Sequence, residues 1–232
     1  MPLPHRLLAE FLGTLLLLAT VVGSGIMGVK LSAGNDGLAL LANASATAGI
    51  LYVLVVVLGP VSGAHFNPAV SLVMRLQRSI STSDLIAYVV IQIAGAVAGV
   101  VLAHAMFDLP LIQPGDHIRT GGAQWLSEGV ATFGLLLTIL LGVQRRPAAV
   151  PVLVASYIFA AYWFTASISF ANPAVTFARS LTQTFAGIRP VDVADFVLAQ
   201  LAGALIACVV ARWLLPAEAP APIASPSPVV GQ

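Results

Sequence analysis

Charged side chains are scarce in this chain: Asp, Glu, Lys and Arg make up 8% of its 232 residues, whereas 59% of the residues are hydrophobic. A soluble globule needs far more polar surface than this composition supplies, so the chain is expected to lie in lipid. The net charge is +1 and the ten basic residues are scattered, which excludes a basic face for nucleic acid. The composition therefore indicates an integral membrane protein.

The chain also has little cysteine and few groupings of residues that could form a catalytic site. Cys208 is the only cysteine, which excludes an intrachain disulfide and a thiolate metal site. We expect no metal and no cofactor. An intramembrane serine protease would need a serine such as Ser62 or Ser156 paired with His65 or His104 on a partner helix, and no nucleophile element of that kind is present. The sequence does not predict an enzyme.

Long hydrophobic runs are abundant instead. A membrane-spanning helix needs about 20 mainly apolar residues. Six runs of that length lie near residues 6–28, 38–60, 83–106, 123–143, 148–168 and 192–215. Two shorter stretches, near 67–76 and 172–181, are too short to cross. Because non-helical backbone at membrane depth survives only inside protein or beside a cavity, these two stretches predict re-entrant half-helices at a pathway.

The two halves of the chain contain the same residues in the same order, which indicates an internal repeat. Each half carries a Glu and a Thr, then Asn-Pro-Ala-Val, then Gln with Gly-Ala. In the first half these are Glu10, Thr14, Asn67–Val70, Gln92 and Gly95. In the second half they are Glu128, Thr132, Asn172–Val175, Gln200 and Gly203. Each copy contains three spans, an odd number, so the copies cross the membrane in opposite directions. The sequence predicts an all-α membrane protein built as an inverted repeat.

We assign residues 1–215 to one channel domain, with repeat one at about 6–106 and repeat two at about 123–215. The segment 216–232 is rich in Pro, Ala and Ser and is predicted to be a disordered cytoplasmic tail. Basic residues predict the orientation, with both termini in the cytoplasm of a multi-pass cell (inner) membrane protein. Arg6, Arg75, Arg78, Arg145, Arg146 and Arg212 fall on one side, and Lys30, Arg119, Arg179 and Arg189 on the other.

Both Asn-Pro-Ala sequences predict the start of a helix. Proline suits the first helical position, and asparagine just before it is a favoured N-cap. Inversion brings the two starts together near the midplane, where each helix end carries about half a positive charge. Asn67 and Asn172 would there repel cations and orient neutral hydroxylated molecules, with Pro68, Ala69, Pro173 and Ala174 completing the pore motifs.

The segment Ser62-Gly63-Ala64-His65-Phe66-Asn67-Pro68-Ala69-Val70 resembles the signature of the major intrinsic protein (aquaporin) superfamily, as does Ala9-Glu10-Phe11 with Gly13-Thr14. The resemblance covers about residues 6–215. It implies an hourglass fold of six transmembrane helices and two half-helices, a homotetramer with one pore per subunit, and passive conduction. It also implies that Glu10 and Glu128 support the re-entrant loops through hydrogen bonds, and that His65 lies on the cytoplasmic side of the pore wall.

The resemblance further implies a constriction on the extracellular side of the two motifs. Its four positions carry over to Thr47, Ala160, Ser169 and Val175. The family almost always has arginine where this chain has Val175, and the other three residues are small, so we expect a wide filter without the usual cation. Arg179, one helical turn further on, either faces the outer vestibule or faces a helix interface and holds a loop carbonyl.

A wide, neutral filter resembles those of aquaglyceroporins and of the bacterial branch associated with arsenic resistance. We therefore expect a channel for small uncharged solutes: polyols such as glycerol, arsenous acid and related metalloids, and water. Two alternatives stay open. One is a water-selective aquaporin. The other is an ion-coupled secondary transporter, which also uses inverted repeats but needs intramembrane carboxylates at its broken helices.

Overall fold

The computed structural model describes residues 1–215, and within them every regular element is helical. The predicted tail, 216–232, lies outside the described residues. These residues form six long helices and two short ones, which are the third and the seventh: α1 (Leu3–Leu31), α2 (Asp36–Ser62), α3 (Pro68–Leu76), α4 (Thr82–Met106), α5 (Gly122–Arg145), α6 (Val150–Phe164), α7 (Pro173–Arg179) and α8 (Val193–Leu214). Single turns of 3-10 helix, Pro147–Ala149 and Pro190–Asp192, lead into α6 and α8.

The six long helices are long and apolar enough to cross a membrane, which confirms the predicted all-α membrane fold. The helices α3 and α7 have 9 and 7 residues. At 1.5 Å per residue they rise only about 10–14 Å, which is less than half of a hydrocarbon core of about 30 Å. They are half-helices, as the sequence predicts.

Packing follows the repeat. In the first half α1 packs against α4 and α2, and in the second half α5 packs against α8 and α6. The α1–α4 and α5–α8 contacts each have a glycine where the two backbones come closest. A Cβ at Gly95 would overlap the carbonyl of Phe11, and a Cβ at Gly203 would overlap the carbonyl of Gly129. Small residues at such crossings let helix backbones approach closely. The two halves meet through α2 with α6 and through the half-helices.

The fifth span differs from its predicted extent. Hydrophobicity continues to residue 168, but α6 ends at Phe164 and Thr165 is already extended. Ile168 and Ser169 follow with positive φ, a conformation that no α-helix contains. The apolar residues after Phe164 therefore belong to the loop that leads to the second half-helix.

Candidate pore between the two half-helices

The two Asn-Pro-Ala motifs lock each other in place. Asn67 accepts a hydrogen bond from the Ala69 N–H (2.9 Å) and so caps α3, while its side-chain amide donates to the Ala171 carbonyl (2.8 Å). Asn172 caps α7 through the Ala174 N–H (3.0 Å) and donates to the Phe66 carbonyl (2.8 Å). Each asparagine thus starts its own half-helix and holds the loop of the other, so the two positive helix ends meet.

The loops before the two half-helices share an unusual backbone. Three positions have positive φ in each loop: Gly63, Ala64 and Phe66 in the first, Ile168, Ser169 and Ala171 in the second. Each position in the first loop lies 105 residues before its counterpart in the second loop. Positive φ costs a non-glycine residue on the order of 1–3 kcal/mol and persists only where surrounding contacts enforce it. The repeat therefore extends to individual backbone dihedral angles.

Glu10 supplies those contacts to the first loop. Its carboxylate is fully buried and accepts hydrogen bonds from the N–H groups of His65 (2.9 Å) and Phe66 (2.6 Å). The Ser62 hydroxyl (2.7 Å) and the Gln92 amide (2.8 Å) also donate to it. A buried carboxylate needs such donors to offset the loss of water. Four donors fix both oxygens, and the loop lines the lumen with its other side.

Glu128 makes the corresponding contacts in the second loop. It accepts hydrogen bonds from the N–H groups of Phe170 and Ala171, both at 2.9 Å, and from the Gln200 amide at 2.6 Å. Gln200 also donates to the Thr176 hydroxyl (2.7 Å), as Gln92 donates to the Ser71 hydroxyl (3.0 Å). Ser71 and Thr176 were missed in the sequence, although each lies four residues after its asparagine. Glutamate, glutamine and hydroxyl thus form one network per repeat.

A cavity of about 430 Å³ runs along the two motifs. Asn67 and Asn172 line it in the middle, and Phe66, Val70 and Phe170 form part of its wall. The remaining wall is mostly aliphatic and comes from long helices of both repeats: Leu17, Val21, Leu51, Val55, Leu135, Ile139, Val143, Val150, Val154 and Ile158. A few polar groups on an otherwise apolar wall bind a neutral solute only briefly, as conduction requires.

Three of the four predicted filter residues line this cavity, namely Thr47, Ser169 and Val175. The prediction for Ala160 is wrong, because that residue is exposed on the outer face of α6 and does not contact the cavity. Tyr162, two residues further along, is buried and lines the cavity instead. A two-residue shift turns a helical position by about 200°, from one face to the other. The Tyr162 hydroxyl lies 3.2 Å from that of Thr47.

Arg179 reaches the same end of the cavity. Its side chain is fully buried, lines the cavity and donates a hydrogen bond from Nε to the Ala186 carbonyl. The contact with the Ala186 carbonyl agrees with the second of the two descriptions that the sequence left open, and a role in the outer vestibule stays a prediction. Its guanidinium carbon lies 3.3 Å from the centroid of the Phe170 ring. Arg119 stacks on the same ring, at 5.1 Å.

Arg119 was missed as a site residue because it lies in the long loop between α4 and α5. Its guanidinium donates to the carbonyls of Gly187 (2.8 Å) and Ser167 (3.3 Å), and so ties the outer loop to the segment after α6. Burial lowers the pKa of Arg119 to about 10, so it remains a cation at neutral pH. No signal in its neighbourhood of the sequence marks this role.

The predicted pore-wall residue His65 lies at the other end of the cavity, with Arg6, Ser79 and Ile80. Its Nδ1 is 3.0 Å from the Ser71 hydroxyl, and its ring packs edge-on against Tyr88. Arg6 forms a salt bridge with Asp84 at 2.9 Å, which ties the start of α1 to the start of α4. Seven of the predicted site residues line the cavity: Thr47, His65, Asn67, Ser169, Asn172, Val175 and Arg179.

Comparison with known proteins gives this architecture a family. The sequence profile described as major intrinsic protein matches residues 2–150, more than half of the chain. The chain belongs to the major intrinsic protein family. Among curated members, the aquaglyceroporin AqpS of Rhizobium meliloti (strain 1021) is 61% identical over 213 residues, which cover 92% of this chain and 91% of that protein. A probable aquaporin, PIP2-8 of Oryza sativa subsp. japonica, is 35% identical over 63% of this chain and 56% of its own length.

A solved structure of an aquaglyceroporin has the same fold. The aquaglyceroporin from Plasmodium falciparum superposes with a TM-score of 0.73 at 19% identity, over 90% of this chain and 95% of that one. Proteins of this family are channels rather than enzymes, and this chain is accordingly a multi-pass membrane channel for small solutes.

Proposed function

We propose that the protein is a passive channel for small uncharged solutes, namely glycerol-like polyols, arsenous acid and related metalloids, and water. The single observation that carries the proposal is Val175, an apolar lumen residue where the family resemblance implies arginine. A short side chain there leaves room for a molecule larger than water. The 61% identity to a protein named an aquaglyceroporin supports the same substrate class.

The residues have separate roles in this proposal. Asn67 and Asn172 orient the solute at the midplane, where the donors of two helix ends meet. Glu10 and Glu128 hold the two loops, and His65 forms part of the cytoplasmic wall. Arsenous acid fits the same lumen as glycerol because at neutral pH it is an uncharged trihydroxide of similar shape.

The wider setting is proposed from the same family resemblance. The channel would be a homotetramer in the cell (inner) membrane with both termini in the cytoplasm, residues 1–215 forming the channel domain and 216–232 a cytoplasmic tail. Arg6, Arg75, Arg78, Arg145, Arg146 and Arg212 support this orientation as the more basic side.

A water-selective aquaporin is the second candidate, and one observation favours it. Tyr162 lines the outer end of the cavity together with Arg179, so this end is bulkier than the small residues of the predicted filter suggested. If these two side chains leave room only for water, polyols and arsenous acid would be excluded.

Stopped-flow light scattering on proteoliposomes separates the two candidates. Water, glycerol and arsenous acid permeabilities are compared for the wild type, Val175→Arg and the matched control Val191→Arg, whose site is 74% exposed on the outer surface. We expect glycerol and arsenous acid flux in the wild type, and a loss of at least about tenfold in Val175→Arg, which corresponds to a barrier of about 1.4 kcal/mol. Water flux should fall less, and Val191→Arg should change neither. A wild type that passes only water would establish the second candidate.

A further inference from the structure

A fully buried histidine lies outside the pore, in the last turn of α4. His104 is 0% exposed, and the cavity wall described above does not include it. Its Nδ1 lies 2.9 Å from the Leu111 carbonyl oxygen, and its Nε2 lies 2.8 Å from the Thr182 hydroxyl. Leu111 belongs to the loop between α4 and α5, and Thr182 belongs to the loop that follows α7. One imidazole ring therefore joins a membrane-spanning helix to two loops.

The hydrogen bonds fix the tautomer of this ring. A carbonyl oxygen can only accept, so Nδ1 of the neutral imidazole carries the proton and Nε2 accepts from the Thr182 hydroxyl. The Thr182 oxygen then accepts from the Thr184 N–H at 3.3 Å and from the Thr184 hydroxyl at 2.9 Å. Each polar group of this cluster has a partner. A buried network that is satisfied in this way holds a single arrangement.

The two loops that His104 joins also pair through their backbones. The Gln113 N–H donates to the Leu181 carbonyl at 3.0 Å, and the Gly115 N–H donates to the Ser180 carbonyl at 2.8 Å. The loops approach so closely that a Cβ at position 115 would overlap a carbonyl of the second loop. The first residues after α7 are therefore held by the neighbouring loop, and the histidine extends this support by one residue.

Thr184 orients the peptide group that holds Arg179. The Thr184 carbonyl accepts a hydrogen bond from the Gly187 N–H at 2.8 Å. That N–H belongs to the same planar peptide unit as the Ala186 carbonyl, to which Nε of Arg179 donates. A continuous series of contacts therefore leads from His104 to the one hydrogen bond that the Arg179 side chain makes within residues 1–215.

This hydrogen bond retains Arg179 in the wall of the pore. The side chain is 0% exposed, and its Nη2 is buried without a partner in the described chain. If the Ala186 carbonyl moved away, a second buried donor would lose its acceptor, at a cost in free energy. The guanidinium would regain hydrogen bonds in the lumen beside Val175, which lies one helical turn earlier on the same face of α7. It would then fill the space that the short Val175 side chain leaves.

We propose that His104 is a positioning residue for conduction: through the loop after α7 it retains Arg179 in the wall and keeps the passage beside Val175 open to solutes larger than water. The inference rests on the proposed channel function and deepens it, because a residue outside the pore then sets the width of the passage. Polyols depend on this width more than water does. His104 therefore controls which solutes pass.

The test removes the hydrogen bond between His104 and Thr182 from either side. His104→Asn places an amide nitrogen near the position of Nδ1 and nothing at that of Nε2, whereas Thr182→Val lacks the hydroxyl. Thr182→Ser keeps the hydroxyl and is the conservative variant. Thr132→Val is the matched control, because Thr132 is also 0% exposed but its hydroxyl has no partner in the part of the chain that the structure describes. Glycerol and water permeabilities are measured by stopped-flow on proteoliposomes, and monodisperse elution identifies the folded variants.

We expect the ratio of glycerol to water permeability to fall at least about fivefold in His104→Asn and in Thr182→Val. This change corresponds to a barrier of about 1 kcal/mol, the net contribution of about one hydrogen bond. Thr182→Ser and Thr132→Val should keep the ratio of the wild type. If His104→Asn does not fold, the Thr182 variants decide alone. A ratio in Thr182→Val equal to that in Thr132→Val would overturn the proposal.

Arg179→Met decides whether the effect passes through the arginine. Added to Thr182→Val, it should return the ratio to that of Arg179→Met alone, because no guanidinium remains to enter the lumen. A ratio that stays low in the double variant would overturn the proposal and leave His104 with a purely structural role.

A wild type without glycerol flux would instead refute the polyol function. The same variants would then test His104 through water permeability. A guanidinium released into a passage that admits only water should lower the water flux in Thr182→Val and leave it unchanged in Thr182→Val/Arg179→Met relative to Arg179→Met. Equal water flux in Thr182→Val and Thr132→Val would overturn the role of His104 as well.

Discussion

Replacing either buried glutamate by glutamine should destabilise the protein by a similar amount, because the two networks are related by the repeat. In Glu10→Gln the amide keeps one acceptor oxygen and replaces the other by a donor. The Ser62 hydroxyl can rotate and accept from that new donor, but the His65 N–H at 2.9 Å cannot. In Glu128→Gln the Phe170 N–H at 2.9 Å loses its acceptor in the same way.

The magnitude follows from one orphaned donor per variant. An unsatisfied buried N–H costs about 1–3 kcal/mol. Loss of the negative charge also weakens the remaining hydrogen bonds, since bonds to an ionised acceptor are about twice as strong as neutral ones. We therefore expect each variant to lower the free energy of unfolding by about 2–4 kcal/mol.

Denaturant titration in mixed micelles measures this difference, and glycerol flux is recorded on proteoliposomes reconstituted from the same preparations. Asp36→Asn is the control, because it removes an exposed carboxylate from the first turn of α2 and should cost no more than about 1 kcal/mol. Flux should fall in both glutamine variants as the loops lose their support. If both unfold at the same denaturant concentration as Asp36→Asn, the carboxylates do not anchor the loops and the reasoning fails.

Two further substitution pairs test the packing and the corrected filter. Gly203→Ala should lower the midpoint of thermal unfolding by several degrees, because the added Cβ would overlap the Gly129 carbonyl. Gly129→Ala should be tolerated, because its Cβ would lie at an ordinary 3.5 Å from the nearest atom. Equal midpoints in the two variants would contradict the close contact between α5 and α8. Tyr162→Ala should admit polyols larger than glycerol in stopped-flow assays, because Tyr162 lines the cavity. Ala160→Leu changes the exposed face of α6 and should leave solute selection unchanged. If Ala160→Leu changes solute selection and Tyr162→Ala does not, Ala160 belongs to the filter.

Helices, half-helices and the repeat could be predicted because each leaves a local signal. Hydrophobic runs long enough for the bilayer predict the six spans, and Asn-Pro at Asn67 and Asn172 predicts a helix start from the conformational preferences of those two residue types. Glu10 and Glu128 stand out because ionisable residues within apolar spans are rare.

The rotation of α6 could not be predicted in the same way. The helix is apolar almost all round, so no polar stripe marks the side that faces the lumen. Counting back from Asn172 placed Ala160 in the filter, but α6 ends at Phe164 and an irregular loop separates it from the motif. The residue that faces the cavity is Tyr162.

The contacts of Arg179 could not be predicted from the sequence either. Helical spacing places it on the face of Val175, yet the Phe170 ring beneath it and the Ala186 carbonyl that holds it depend on how two loops fold. Arg119 reaches the same ring from a loop some fifty residues earlier in the chain. Such long-range contacts have no periodicity, so only the three-dimensional structure shows them.

The central claim, passive conduction through a lumen between two half-helices, is tested most directly by the concentration dependence of glycerol uptake into wild-type proteoliposomes. A channel gives an initial rate that rises linearly with the glycerol gradient and does not change when a proton or sodium gradient is imposed. We predict that linear, ion-independent rate. A rate that saturates with glycerol concentration and depends on either ion gradient would contradict the account and indicate a coupled transporter.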